Sequence, residues 1–122
     1  MSEKTAEFFE KMQEFLPSTK EAYIGSVKKY GEVLETVVIE DIFMPPILKL
    51  LSENKESQLL GSIFKYLEEI IEGNDLHLVN VLSITVLEIL GNDKVILESA
   101  KQYMGINTAV LQIKVDEELG RV

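Results

Sequence analysis

Apolar residues recur every three or four positions along almost the whole chain, which is the spacing of one face of an α-helix. In the first segment the pattern runs through Phe8, Met12 and Phe15 and ends at Pro17. The stretch "EVLETVVIEDIF" from Glu32 contains β-branched residues typical of strands, but its spacing fits a helix as well. We predict a helix there too, so the sequence indicates an all-α fold.

Turn-forming and capping residues predict where these helices begin and end. "STKE" reads as a capping box, with Ser18 as the cap and Glu21 reaching back, and the helix of residues 19–30 should end at Gly31. The pair "PP" at 45–46 suits the first turn of a helix, so a new helix should begin near residue 45 and run to 52 or 53. Ser57 is then the predicted cap of the next helix.

The tripeptide "GND" occurs at 73–75 and again at 91–93. Each copy should end one helix with its glycine and cap the next with Asp75 or Asp93. Residues 76–90 are apolar nearly all round, which predicts the most buried helix. The helix after Asp93 should end near Met104. Gly105 should follow with a positive φ, and Asn107 or Thr108 should cap a last helix over 108–119.

These segments predict a single domain over residues 1–122, formed by about seven short antiparallel helices joined by short loops. Two architectures remain open. One is an irregular bundle, and the other is a stack of helical hairpins like a HEAT-type solenoid.

The chain has no cysteine, which excludes disulfides and thiolate chemistry. Its beginning, "MSEKTAEFFEKM", is charged rather than apolar, and uninterrupted apolar runs are only a few residues long. We therefore expect a soluble cytoplasmic protein that does not bind membranes.

The formal net charge is −9, and residues 31–80 carry most of it, with ten acids against three lysines. This charge disfavours direct binding of nucleic acid, whose phosphates it would repel, and favours a basic protein partner. Solubility is the simpler explanation of the same charge.

The segment "KYLEEIIEGNDLH" places four acids just before the only histidine of the chain, His77. No Glu-x-x-His pair or calcium-loop spacing is present, so we predict no metal and no cofactor. No nucleophile turn or phosphate-binding glycine loop is present either, and His77 falls in a helix start. We expect a protein that is not an enzyme.

The acids of this segment suit a docking surface better. Glu69 and Glu72 lie in the last turn of their helix, where the helix dipole favours cations, and Glu72 meets Glu68 one turn back. A basic partner would relieve this repulsion. The candidate acidic face comprises Glu68, Glu69, Glu72, Asp75, Glu40 and Asp41.

Four segments carry a family resemblance: "EDIFMPPILKLLSEN", "IFKYLEEII", "VLEILGND" and "AKQYMGINTAVLQIKVDEELGR". Over residues 36–122 the chain resembles a family of small, all-helical bacterial proteins often taken for immunity proteins of interbacterial toxin systems, including contact-dependent growth inhibition. Its most specific part is Met104, Gly105 and Thr108 together with Gly120–Arg121.

The resemblance implies an immunity protein that binds and neutralises a cognate basic toxin, for which we expect a nuclease. An adaptor or regulatory module of HEAT-like type, without catalytic activity, is the alternative. Candidate anchors for the partner are Tyr23, Tyr30, Tyr66 and Tyr103, although each could equally belong to the core.

Overall fold

The computed structural model describes residues 1–121, and over this range the chain forms seven helices and no strand. The helices are α1 (Glu3–Phe15), α2 (Lys20–Tyr30), α3 (35–53), α4 (Ser57–Glu72), α5 (76–90), α6 (Lys94–Lys101) and α7 (Ile106–Glu118). The predicted all-α class is confirmed.

Helix α3 is longer than predicted because it does not restart at the prolines. Its segments Glu35–Val38 and Met44–Glu53 are joined by a π-helical turn, Ile39–Phe43, and Met44 keeps helical dihedrals. Pro45 and Pro46 lack the N–H groups that would bond one turn back, and their rings crowd those carbonyls. The π-helical turn, which is wider than an α turn, lies just before the prolines, where the carbonyls of an ordinary α turn would clash with the proline rings.

Helix α5 also contains a π-helical turn, Ser83–Leu87, between Leu76–Leu82 and Glu88–Leu90. Here the hydroxyls of Ser83 and Thr85 donate to the carbonyls of Val79 and Val81 one turn back. Such bonds compete with the backbone ladder. Seven of its fifteen residues are buried, so the prediction that this is the most buried helix is confirmed.

Several predicted caps are confirmed. Gly31 ends α2 with φ 73°, in the left-handed region. Asp75 accepts a hydrogen bond from the Leu78 N–H at 3.0 Å, and Asp93 accepts from the N–H groups of Val95 and Ile96.

Other predicted ends are wrong. A 3₁₀ turn, Pro17–Thr19, precedes α2, which begins without any side-chain cap, so Ser18 and Glu21 form no capping box. Ser57 is the first helical residue of α4, after Glu56 in the left-handed region. Helix α6 ends at Lys101, three residues before Met104.

One continuous core lies between the helices and reaches from Phe8 in α1 to Val115 in α7. Helix α4 contacts α1, α3, α5 and α7, while α3 also contacts α6. Because the helices share a single core in this way, the fold is an irregular bundle rather than a row of separate helical hairpins.

Aromatic side chains fill the end of the core near α1. Phe8 meets Phe43 edge to face and stacks on Tyr66, with ring centroids 6.4 Å and 6.2 Å away. Tyr23 stacks on Phe43, and Tyr103 stacks on Phe64. Three of the four candidate tyrosine anchors therefore pack on the core.

Among residues 1–121, each helix is too short or too polar to traverse a lipid bilayer.

Candidate partner-binding surface

Glu68 does not belong to the acidic face, because it caps another helix. One of its carboxylate oxygens accepts from the N–H and hydroxyl of Thr108, at 2.8 and 2.7 Å. The other accepts from the N–H and side-chain amide of Asn107, at 3.0 and 2.9 Å. The predicted cap of α7 by Asn107 or Thr108 is therefore wrong, and α7 begins two residues earlier than predicted.

The surroundings of Glu68 favour its charged form. Desolvation raises the pKa of its carboxyl, but the hydrogen bonds from Thr108 and Asn107 outweigh that effect and hold the pKa at about 2, against an ordinary value of 4.5. A carboxylate at this position also interacts favourably with the positive end of the α7 dipole.

Gly105 is explained by the same contact and not by a positive φ, since its φ is −76°. A Cβ at this position would overlap the Cγ and carboxyl atoms of Glu68. Two residues of the motif that carries the family resemblance, Gly105 and Thr108, therefore build the junction of α4 and α7, while Met104 packs against the core.

Asp75 is also partly engaged in structure. Besides capping α5, its carboxylate accepts a hydrogen bond from the Ser2 hydroxyl at 2.6 Å, while Ser2 accepts from the Thr5 N–H at the start of α1. The hydrogen bond from Ser2, followed by that from the Leu78 N–H, lowers the pKa of Asp75. The N-caps of α1 and α5 are thus linked directly.

Glu69 lines a cleft between α1 and α4 that we call the acidic cleft. Its described lining includes three acids and one base: Glu7, Glu69, Asp75 and Lys4. The ring of Tyr66 forms part of its wall, and burial, followed by the charges of Glu7, Glu69 and Glu14, raises the pKa of this tyrosine to about 12. The cleft therefore concentrates negative charge beside an aromatic surface.

Glu72, Glu40 and Asp41 are exposed, and none of them lines the acidic cleft. Glu40 and Asp41 lie on the π-helical turn of α3. The structure thus brings together only Glu69 and Asp75 of the six candidates, and it adds Glu7 from α1, which sequence reasoning missed. The signal that could have found Glu7 is its position on α1 beside the buried Phe8, which packs on Tyr66.

His77 is exposed at the start of α5, where its Nε2 lies 3.1 Å from Glu35 Oε2. Residues 1–121 contain no group of three or more histidine, aspartate or glutamate side chains arranged to hold a metal ion.

The other two motifs of the resemblance meet at the end of α7. Gly120, with φ 71°, forms a Schellman turn in which the Arg121 N–H donates to the Asp116 carbonyl. The Arg121 guanidinium then donates to Asp116, to the Asn92 side chain and to the Glu88 carbonyl. The "GND" and "GR" motifs therefore contact each other directly, through the hydrogen bond between Arg121 and Asn92.

A second concave surface, which the sequence did not predict, lies between α5 and α7 and is an open groove of about 270 Å³. We call it the α5–α7 groove. Its apolar lining is Leu76, Val79 and Ile84 from α5, Leu111 and Val115 from α7, and Leu119 at the C-cap of α7.

Fold and surface together define a small all-α bundle protein that bears an acidic cleft and a groove lined by both apolar and polar side chains. The chain belongs to the family described as a domain of unknown function, DUF7674, whose model matches residues 9–118. No curated protein and no solved structure gives a significant match to this chain.

Proposed function

We propose that this protein is a non-catalytic inhibitor that binds a basic protein partner through the acidic cleft. Immunity against a toxin, with a nuclease as the toxin class, is the specific form of this proposal. One observation supports it most directly: Glu7 and Glu69 line the same cleft. Within residues 1–121, neither of them forms an ion pair within 4 Å.

The physical argument concerns charge complementarity. A nuclease must attract phosphates, so its active cleft is cationic. An acidic inhibitor gains association rate from this opposite charge and can occupy the surface that the nucleic acid would use. The net charge of −9 and the concentration of acids around Tyr66 both support such a partner.

The family resemblance supports the toxin as the identity of the partner, and cytoplasmic residence follows from that role. The adaptor alternative predicts a partner that is not inhibited. Both forms are binding functions.

The test begins with capture of the partner from the source organism on the immobilised protein, where a basic protein in near-equimolar amount is expected. Association rates with that partner are then compared for the wild type and for the double variant Glu7→Lys/Glu69→Lys. Because both positions are exposed, the variant should keep its helical circular dichroism, and its association rate should fall by about tenfold or more at low salt.

The matched control is Glu40→Lys/Asp41→Lys, which makes the same change in net charge on exposed positions outside the cleft. It should retain most of the wild-type rate. Equal rates for the wild type and the cleft variant would refute the role of the cleft. A captured partner that keeps its nuclease activity in the complex would refute inhibition in favour of an adaptor.

A further inference from the structure

The α5–α7 groove exposes apolar side chains that the rest of the bundle does not cover. Leu76 is 79% exposed, Ile84 46% and Leu119 45%. Single exposed apolar residues are ordinary on protein surfaces, but contiguous ones that line a concave surface are typical of binding sites.

Helix α7 shows the same excess of apolar surface. Its buried positions include the polar residues Thr108, Gln112 and Asp116. Its apolar residues Ile106, Val110 and Ile113 are exposed, in addition to its groove side. The apolar surface of α7 therefore exceeds what the bundle itself buries.

The geometry of the groove suits a helix. Its apolar residues recur along both walls: 76, 79 and 84 on α5, the last of them in the π-helical turn, and 111, 115 and 119, one turn apart, on α7 and at its C-cap. Eight residues of helix extend about 12 Å, so the groove accommodates roughly two turns of an incoming helix with apolar residues at i, i+3 or i+4, and i+7.

Charge decides between the possible occupants. The polar part of its lining consists of the neutral residues Asn80 and Ser83 and the charged residues Glu88, Glu118 and Lys114, which give a small negative excess. The groove and the acidic cleft come near each other at the start of α5, where the consecutive residues Asp75 and Leu76 line the cleft and the groove, respectively. A second copy of the chain would bring a further charge of −9 to this surface, whereas a basic helix would be attracted to it.

We infer that the α5–α7 groove binds an amphipathic helix of the partner, with the apolar face of that helix in the groove and its lysine or arginine residues toward the acidic cleft. The inference rests on the proposed function for the basic character of the partner. It adds the apolar anchor site, which dominates affinity in interfaces of this kind, while the cleft acts mainly on association rate.

The probe is a synthetic, fluorescently labelled peptide of leucine and lysine, with the leucines on one helical face. Binding is measured by fluorescence anisotropy. A peptide of the same composition, with the leucines scattered around the helix, reports purely electrostatic attraction. The groove variant is Ile84→Lys/Leu119→Lys, with Leu76→Lys as a milder second variant at a highly exposed position.

The control variant is Val95→Lys/Ile106→Lys, which adds the same charge at exposed apolar residues that do not line the groove. We expect the groove variant to lose about tenfold or more in affinity for the amphipathic peptide, and the control variant to lose much less. The scattered peptide should bind the wild type at least about tenfold more weakly than the amphipathic one.

Equal losses in the groove and control variants, or equal binding of the two peptides, would overturn the inference. So would a wild-type dimer in sedimentation that Ile84→Lys/Leu119→Lys converts to a monomer, because a second copy would then occupy the groove.

The two surfaces are told apart by comparing their variants. Loss of peptide binding in Glu7→Lys/Glu69→Lys alone would support the acidic cleft and refute the groove. Loss in the groove variant alone would support the groove and count against the cleft.

Discussion

Glu68 on α4 holds Thr108 on α7 through two hydrogen bonds to a single carboxylate oxygen, at 2.8 Å from the Thr108 N–H and 2.7 Å from its hydroxyl. The N-cap role that a local Ser, Thr, Asp or Asn usually fills is thus supplied by a residue forty positions earlier in the chain. Since Gly105 supplies no side chain, the carboxylate of Glu68 approaches the first turn of α7 directly.

Glu68→Gln should destabilise the protein although the side chain keeps its size. The amide has one acceptor oxygen instead of two and no charge to interact with the helix dipole, so about 1 to 2 kcal/mol of unfolding free energy should be lost at neutral pH. Urea unfolding followed by circular dichroism measures the change. Glu72→Gln, an exposed residue one turn away, is the control and should change stability by less than about 0.5 kcal/mol. Equal effects of the two substitutions would refute the capping role.

The contribution of Glu68 should depend on pH in a defined direction. Its folded pKa is about 2, below the ordinary 4.5, so between these values the unfolded chain binds more protons than the folded one. The contribution is therefore complete above about pH 4.5 and is lost as the pH falls toward 2. The difference in unfolding free energy between the wild type and Glu68→Gln should shrink over this range. A difference that stays constant down to pH 2 would contradict the assignment.

Gly105→Ala should be destabilising because its methyl group overlaps the Glu68 side chain, not because of the backbone, whose φ of −76° suits alanine. We expect a loss of about 1 to 3 kcal/mol. In a Glu68→Ala background the overlapping atoms are gone, so Gly105→Ala should then cost almost nothing, which a double-mutant cycle measures.

The matched control for this substitution is Gly25→Ala in the exposed face of α2, where an added Cβ meets nothing within 4 Å. It should stabilise the protein by about 0.5 to 1 kcal/mol, because alanine favours a helix interior. Additive losses for Gly105→Ala and Glu68→Ala would show that the two residues act independently and would exclude the proposed contact.

Local signals in the sequence predicted much of this fold. Apolar spacing gave the helices, and Gly31, Asp75 and Asp93 were recognised because each acts on residues within its own turn. The π-helical turns were missed because they depend on how Pro45, Ser83 and Thr85 alter the backbone ladder within a continuing helix.

The candidate site was harder to predict because it depends on contacts between distant segments. Glu68, Glu69 and Glu72 look alike in the sequence, yet one caps α7, one faces the acidic cleft, and one is exposed outside it. The positions of α7 and α1 decide which acid caps a helix and which faces the cleft, and no spacing within α4 contains that information. The groove likewise forms from α5 and α7 together.

Arg121→Ala should destabilise the protein through Asp116. The Asp116 side chain is 11% exposed, and its carboxylate lies 3.2 Å from the Arg121 guanidinium, which also bonds Asn92 and the Glu88 carbonyl. Removal of the arginine takes the cation away from a nearly buried carboxylate, which keeps the hydrogen bond from Gln112, and should cost about 2 kcal/mol in urea unfolding. Lys101→Ala is the control, because it removes a cation from a surface pair with Glu98 and should cost less than about 0.5 kcal/mol.

Adding Asp116→Asn to Arg121→Ala should recover part of the loss of unfolding free energy, since the uncompensated charge is then removed. If the double variant is less stable than Arg121→Ala alone, the loss comes from the contacts to Asn92 and Glu88 and not from the uncompensated charge.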